Sequence, residues 1–162
     1  MKIKKIVLIA LFIAISAILS NVKIFSTVAF DSMPAFLAAT LISPIAGGLV
    51  GALGHMLTAY TSGFPFTVPI HIFIAALMFF IVSIYGVLFK KVNKYIAIFI
   101  AILLNGPVAT LLSGYVIDLF NHTHSAISFY KMMVLPLTIV STANIILAFI
   151  LQRVLKRARI EI

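Results

Sequence analysis

The side chains able to do chemistry are few. The chain holds three acids, four histidines and no cysteine. Without cysteine there are no disulfides, thiolate metal sites or sulfur nucleophiles. The groups that remain are Asp31, Thr58, Ser62, Asp118 and the histidines His55, His71, His122 and His124, joined by the amides Asn105 and Asn144. His55 and His71 alone make a weak metal site, because zinc takes three or four ligands and neither histidine has an HxxxH or HxxE partner. No metal is expected. Enzymatic parts are also missing: there is no GxSxG, no HExxH and no pair of carboxylates spaced for acid–base work. A GxxxxGK[ST] loop is absent, which removes ATP hydrolysis by that route. These side chains are therefore suited to holding a molecule rather than transforming it.

The elements that must position them are membrane spans. Of 162 residues, 64% are apolar and 9% charged, against about half and a quarter in a soluble domain. A single polytopic membrane domain over residues 1–162 is expected, an all-α six-helix bundle. Apolar blocks run over Ile6–Ser20, Val28–Ile42, Ile45–Tyr60, Phe66–Phe89, Tyr95–Ile117 and Phe129–Leu151. The fourth and fifth exceed the ~20 residues that cross a bilayer core, whereas the second and third are short and meet at Ser43-Pro44, where a break is expected.

Charge decides the parity. The net charge of +9 would point to nucleic acid in a soluble protein, but no basic, aromatic-interleaved polar stretch accompanies it, and nucleic acid is not an expected partner. The cations cluster at Lys2, Lys4 and Lys5, at Lys90, Lys91 and Lys94, and at Arg153, Lys156, Arg157 and Arg159. Six crossings put all three clusters, ten of the twelve cations, on the cytoplasmic side with both termini. Five crossings would separate them. A re-entrant hairpin over Val28–Tyr60 gives the same parity as two spans. The first block is expected to remain as a span, since no small-x-small cleavage site follows it.

With that topology the ionisable groups gather in the outer half, and charges inside spans normally face a cavity or the bundle interior. A water-accessible pocket open to the outside explains the pattern economically. Each residue also has a plainer reading. Asp31, in Asp31-Ser32-Met33-Pro34, is placed to cap a helix. His55 and His71 lie at matching depths on consecutive helices and suit either interhelical bonding or ligand contact. Asn105-Gly106-Pro107 interrupts the fifth block at about the depth of Ser141, Thr142 and Asn144, as interhelical polar contacts would. His122 and His124 read as a solvated loop, and Asp118 as a boundary residue. Thr61-Ser-Gly-Phe-Pro-Phe is a turn-rich loop fit to anchor in the interface or to cover a ligand. Ala10 and Ala14 form a small-xxx-small stripe with Ala17, and Gly47, Gly48, Gly51 and Gly54 a smooth face.

A resemblance narrows these alternatives. Ala10-x-x-x-Ala14, Ala29-Phe-Asp-Ser-Met-Pro-Ala-Phe, Gly51-Ala-Leu-Gly-His-Met-Leu-Thr-Ala-Tyr-Thr-Ser-Gly-Phe-Pro and Leu104-Asn-Gly-Pro-Val lie on short helices with basic ends. Together they resemble the S component, the substrate-specificity subunit, of energy-coupling factor (ECF) vitamin transporters. The subgroup they look most similar to takes α-ribazole, a nucleoside precursor of the cobamide lower ligand. The resemblance covers essentially the whole chain. It implies a multi-pass protein of the bacterial plasma membrane that binds substrate from outside and works with a transmembrane T component and two cytoplasmic ATPase subunits. It further implies that the subunit topples in the membrane to release substrate, with no cofactor of its own because its partners use the ATP. Ala10 and Ala14 would carry the docking surface, and Asp31, His55, Thr58, His71, Asn105 and Asn144 would be candidates for the pocket. Riboflavin, pantothenate or another small vitamin, or an assembly role with no ligand, are the alternatives.

Overall fold

The computed structural model describes residues 2–25, 28–121 and 125–159. Helix α1 (Lys2–Leu19) leads into a short antiparallel hairpin of β1 (Lys23–Phe25) and β2 (Val28–Ala29), followed by a single 3-10 turn, Phe30–Ser32. Then come α2 (Met33–Leu41), α3 (Pro44–Thr61), α4 (Val68–Lys91), α5 (Lys94–Leu103), a π-helical turn (Leu104–Val108), α6 (Ala109–Asn121) and α7 (Ala126–Arg157). Three segments among the described residues, Val68–Lys91, Lys94–Phe120 and Ala126–Arg157, are long and apolar enough to cross a membrane. Helices α1 and α3, 18 residues each, reach about 27 Å.

The break expected at Pro44 is present. Ser43 caps α3 by accepting from the Ala46 N–H at 3.1 Å, and Pro44 occupies the first helical position, where its missing N–H costs nothing. The second apolar block, by contrast, is only partly helical. At nine residues α2 extends about 14 Å, half of a bilayer core. It starts beside Asn144, midway along α7, and ends at Ile42, whose carbonyl oxygen lies 3.5 Å from Lys90 Nζ. The rest of that apolar block, Val28–Ser32, forms β2 and the 3-10 turn. Irregular backbone at such depth is tolerated where protein buries it. Pro34 through Thr40 are all buried, so α2 is a core element surrounded by other helices.

Small residues let this happen. A Cβ on Gly47 would stand 2.6 Å from Ala39 Cα, and one on Gly86 would stand 2.9 Å from Pro44 Cα, so α2, α3 and α4 meet backbone to backbone. The glycine face of α3 is thus turned inward, while Ile45, Leu49, Leu53 and Tyr60 are exposed on its other side. Around this contact Phe36, Val50, Val82 and Ile145 close the core, and Phe36 meets Tyr85 edge to face at 5.1 Å.

Asn105-Gly106-Pro107 does not break the helix as expected. One π-helical turn absorbs Pro107, and the rod continues into α6. Gly106 is the contact point with α7, since a Cβ there would sit 2.7 Å from Thr138 Oγ1. The basic clusters gather at one end: Lys90 lies within electrostatic reach of Lys5 and Lys156, and Arg153 reaches the Tyr95 hydroxyl at 3.5 Å.

Candidate functional site

Above the start of α2, the half-length helix leaves a space that a full-length one would fill. A cavity of about 110 Å³ lies there, lined by the 3-10 turn, α3, α4, the π turn, α6 and α7. Its apolar lining comes from α4 and α7, with Ile74, Leu77, Met78, Met133, Leu137 and Val140. The polar groups converge from separate elements: Asp31 and Ser32 from the turn, His55 from α3, Asn105 from the π turn, Thr110 and Ser113 from α6, Ser141 and Asn144 from α7.

Asp31 is held from three sides. Thr58 Oγ1 stands 2.6 Å from its Oδ2, the backbone N–H groups of Asp31 and Ser32 also reach the carboxylate, and Ser16 Oγ donates to its backbone carbonyl. Thr58 Oγ1 lies 3.0 Å from the Gly54 carbonyl as well. A hydroxyl has one proton, and the shorter, charge-assisted bond to the carboxylate takes it. The expectation that Asp31 caps α2 fails for this reason: no side chain of the turn caps the helix. Asn144 does so from α7 instead. Its Oδ1 accepts from the Met33 N–H at 2.9 Å, and its Nδ2 donates to the carbonyls of Ala29 and Val140 at 3.3 and 3.0 Å. The amide has both protons and its oxygen in use within the protein.

His55 and His71 are brought together, with Nε2 of the first 3.2 Å from Nδ1 of the second. With both imidazoles neutral, they share one proton in that bond. Their outer nitrogens, His55 Nδ1 and His71 Nε2, then carry one proton between them, so the pair presents one donor and one acceptor. His71 is buried, and its Nε2 has no hydrogen-bond partner among the described residues. Thr58 and His71 do not line the cavity themselves; each holds a residue that does. Asn105 Nδ2 donates to Ser141 Oγ at 2.9 Å, which leaves Oδ1 without a hydrogen bond among the described residues. No group of three or more potential metal ligands occurs among the described residues.

The loop between α3 and α4 closes the cavity at the end away from the basic clusters. Phe66 lines it and packs on Phe129 at 5.6 Å, while Phe64 meets His71 at 5.7 Å. Gly63, Phe64 and Thr67 all have positive φ, an uncommon conformation for the last two. Asp118, expected at the boundary, accepts from the Ala126 N–H at 3.0 Å and so caps α7. His122 and His124 lie outside the described residues. Sequence reasoning missed Ser32, Thr110 and Ser113. Thr110 and Ser113 fall one to two turns beyond Asn105 along the same rod, a helical spacing that is the available signal.

On α1, Ala10 and Ala14 are exposed, next to exposed Val7 and Leu11, while Phe12 and Ser16 turn inward. Phe12 therefore leaves the alanine stripe unobstructed.

No curated protein and no solved structure matches the chain. The family model for the substrate-specific component of ECF transporters matches residues 4–155. Such a component is a multi-pass membrane subunit, not an enzyme, and it serves a small-molecule substrate together with ECF T and ATPase subunits. A cavity lined by polar and apolar side chains inside a predominantly helical membrane bundle agrees with that assignment, and the chain belongs to the ECF transporter substrate-specific component family.

Proposed function

We propose that this subunit captures a neutral vitamin precursor from outside the cell, α-ribazole being the best fit, and hands it to an ECF T component and two cytoplasmic ATPases for ATP-driven uptake. The observation that carries the reading is a cavity lined by apolar side chains of α4 and α7 together with polar groups converging from the 3-10 turn, α3, the π turn, α6 and α7. A flat, apolar base would lie among Ile74, Met78, Phe129 and Met133, and a sugar would meet Asp31, Ser32, His55 and Asn105. A carboxylate and an imidazole suit vicinal hydroxyls and an imine nitrogen. Among the described residues, Asp31 is the sole formally charged side chain lining the cavity, and no cation lines it to balance an anion. Pantothenate, with its own carboxylate, fits poorly. Riboflavin is the second reading, because Phe66 and Phe129 suit a flat ring and the same polar groups suit a polyhydroxylated chain.

The cavity is smaller than the ~300–1,000 Å³ of an ordinary small-molecule site, so admission of a nucleoside requires the Phe66 loop to swing out. Thr58, His71 and Asn144 act as positioning residues: Thr58 fixes the carboxylate, His71 fixes the His55 ring, and Asn144 fixes the start of α2. Ala10 and Ala14 carry the docking face toward the T component, and the subunit turns over in the membrane to release its cargo. The basic end faces the cytoplasm, together with both termini. The test is uptake of labelled α-ribazole by cells expressing the chain with its T component and ATPases. Accumulation that depends on this chain supports the reading, and accumulation of riboflavin instead would transfer it to that substrate.

A further inference from the structure

The basic end carries a second concavity, remote from the polar cavity. Between the last turn of α4, the first of α5 and the end of α7 lies an open groove of about 420 Å³. Lys94, Arg153, Lys156 and Arg157 rim it, and Phe89 and Phe149 form its wall. The Arg153 guanidinium stacks over Phe149 at 4.8 Å from the ring centroid, which fixes its charge over the groove. Among the described residues, no carboxylate answers these cations. The acids among the described residues, Asp31 and Asp118, are engaged at the opposite end with Thr58 and the Ala126 N–H. Gln152 is only 4% exposed, lines the groove, and makes no hydrogen bond among the described residues. Its amide is thus a buried polar group directed at whatever occupies the groove.

Depth identifies the occupant's class. On the side nearer the middle of the bundle, Phe99, Ile146 and Ile150 are apolar and exposed. In a membrane that belt faces acyl chains, so the groove opens where headgroups begin. We propose that it binds the phosphate headgroup of an anionic phospholipid. Arg153 and Lys156 take the phosphate oxygens, the Gln152 amide takes a headgroup or glycerol oxygen, and the chain-bearing glycerol lies against Phe89 and Phe149. The bound lipid supplies counter-charge to the cationic rim of the groove.

The experiment is native mass spectrometry of the purified full chain after equilibration with equal parts phosphatidylglycerol and phosphatidylcholine. Retained phosphatidylglycerol is expected to exceed phosphatidylcholine by roughly fivefold or more. Arg153→Gln/Lys156→Gln abolishes the preference, and Gln152→Leu, which keeps every charge, lowers it severalfold. A charge-matched Lys4→Gln/Lys131→Gln control keeps it, and equal melting temperatures show that the variants fold. Equal retention of the two lipids by the unaltered chain, or an undiminished preference in Arg153→Gln/Lys156→Gln, overturns the proposal. Displacement by millimolar inorganic phosphate overturns it in favour of a small-anion site. Retained lipid preference with lost co-purification of the T component and ATPases overturns it in favour of docking to those subunits.

Discussion

Asp31 and Thr58 sit on different elements and meet at 2.6 Å, so the carboxylate lining the cavity has a fixed direction before any ligand arrives. Such pre-organisation reduces the ordering cost of binding. Asp31→Asn removes the charge, and Thr58→Val removes the proton donor while keeping the shape. Each is expected to weaken ligand binding about tenfold, roughly 1.4 kcal/mol, with unchanged helical content by circular dichroism. Full affinity in both variants would remove Asp31 from the site. Asn144 is different, because its amide is saturated by Met33, Ala29 and Val140. Asn144→Ala leaves a buried N–H and a carbonyl without a partner and is expected to cost roughly 1–3 kcal/mol per group, seen as a lower unfolding midpoint in detergent. An unaltered midpoint would show that α2 needs no cap. The sequence singled out both residues, since polar groups in a bilayer are conspicuous, and both line the cavity. It did not reveal their partners: Asp31 had a local capping geometry available, and a contact from α7, 111 residues away, won instead.

The elements show a similar division. The long helices were legible from apolar length alone, and the α2–α3 break from Pro44 with Ser43. The truncation of α2 was not, because Val28–Ala29 is as apolar in the hairpin as it would be in a helix. Nor was the π turn, since Pro107 reads as a breaker until a neighbouring helix is seen supporting it. The orientation of the α3 glycines was equally open in sequence. The structure turns Gly47 against the Ala39 backbone. Neither backbone can yield there, so Gly47→Val is expected to separate α2 from α3 and lower stability by several kcal/mol, beyond the usual cost of overpacking. The yield of folded, monodisperse protein in detergent measures this. A normal yield and midpoint would mean that the close crossing is dispensable.

At the scale of the molecule, the chain is polarised: cations at one end, a polar cavity toward the other, and an exposed alanine stripe along α1. On the proposed reading, capture and coupling occupy separate surfaces. Ala10→Trp or Ala14→Trp is expected to reduce uptake at least tenfold while leaving ligand affinity of the isolated subunit intact, measured by transport and binding side by side. Equal loss of both would assign the stripe to internal packing. The central claim is that the cavity takes a neutral, nucleoside-like molecule. Equilibrium binding of the purified chain against a panel of vitamins and nucleosides tests it most directly. Saturable binding of α-ribazole is expected, in preference to pantothenate and weakened by Asp31→Asn. No saturable binding by any member of the panel would contradict it.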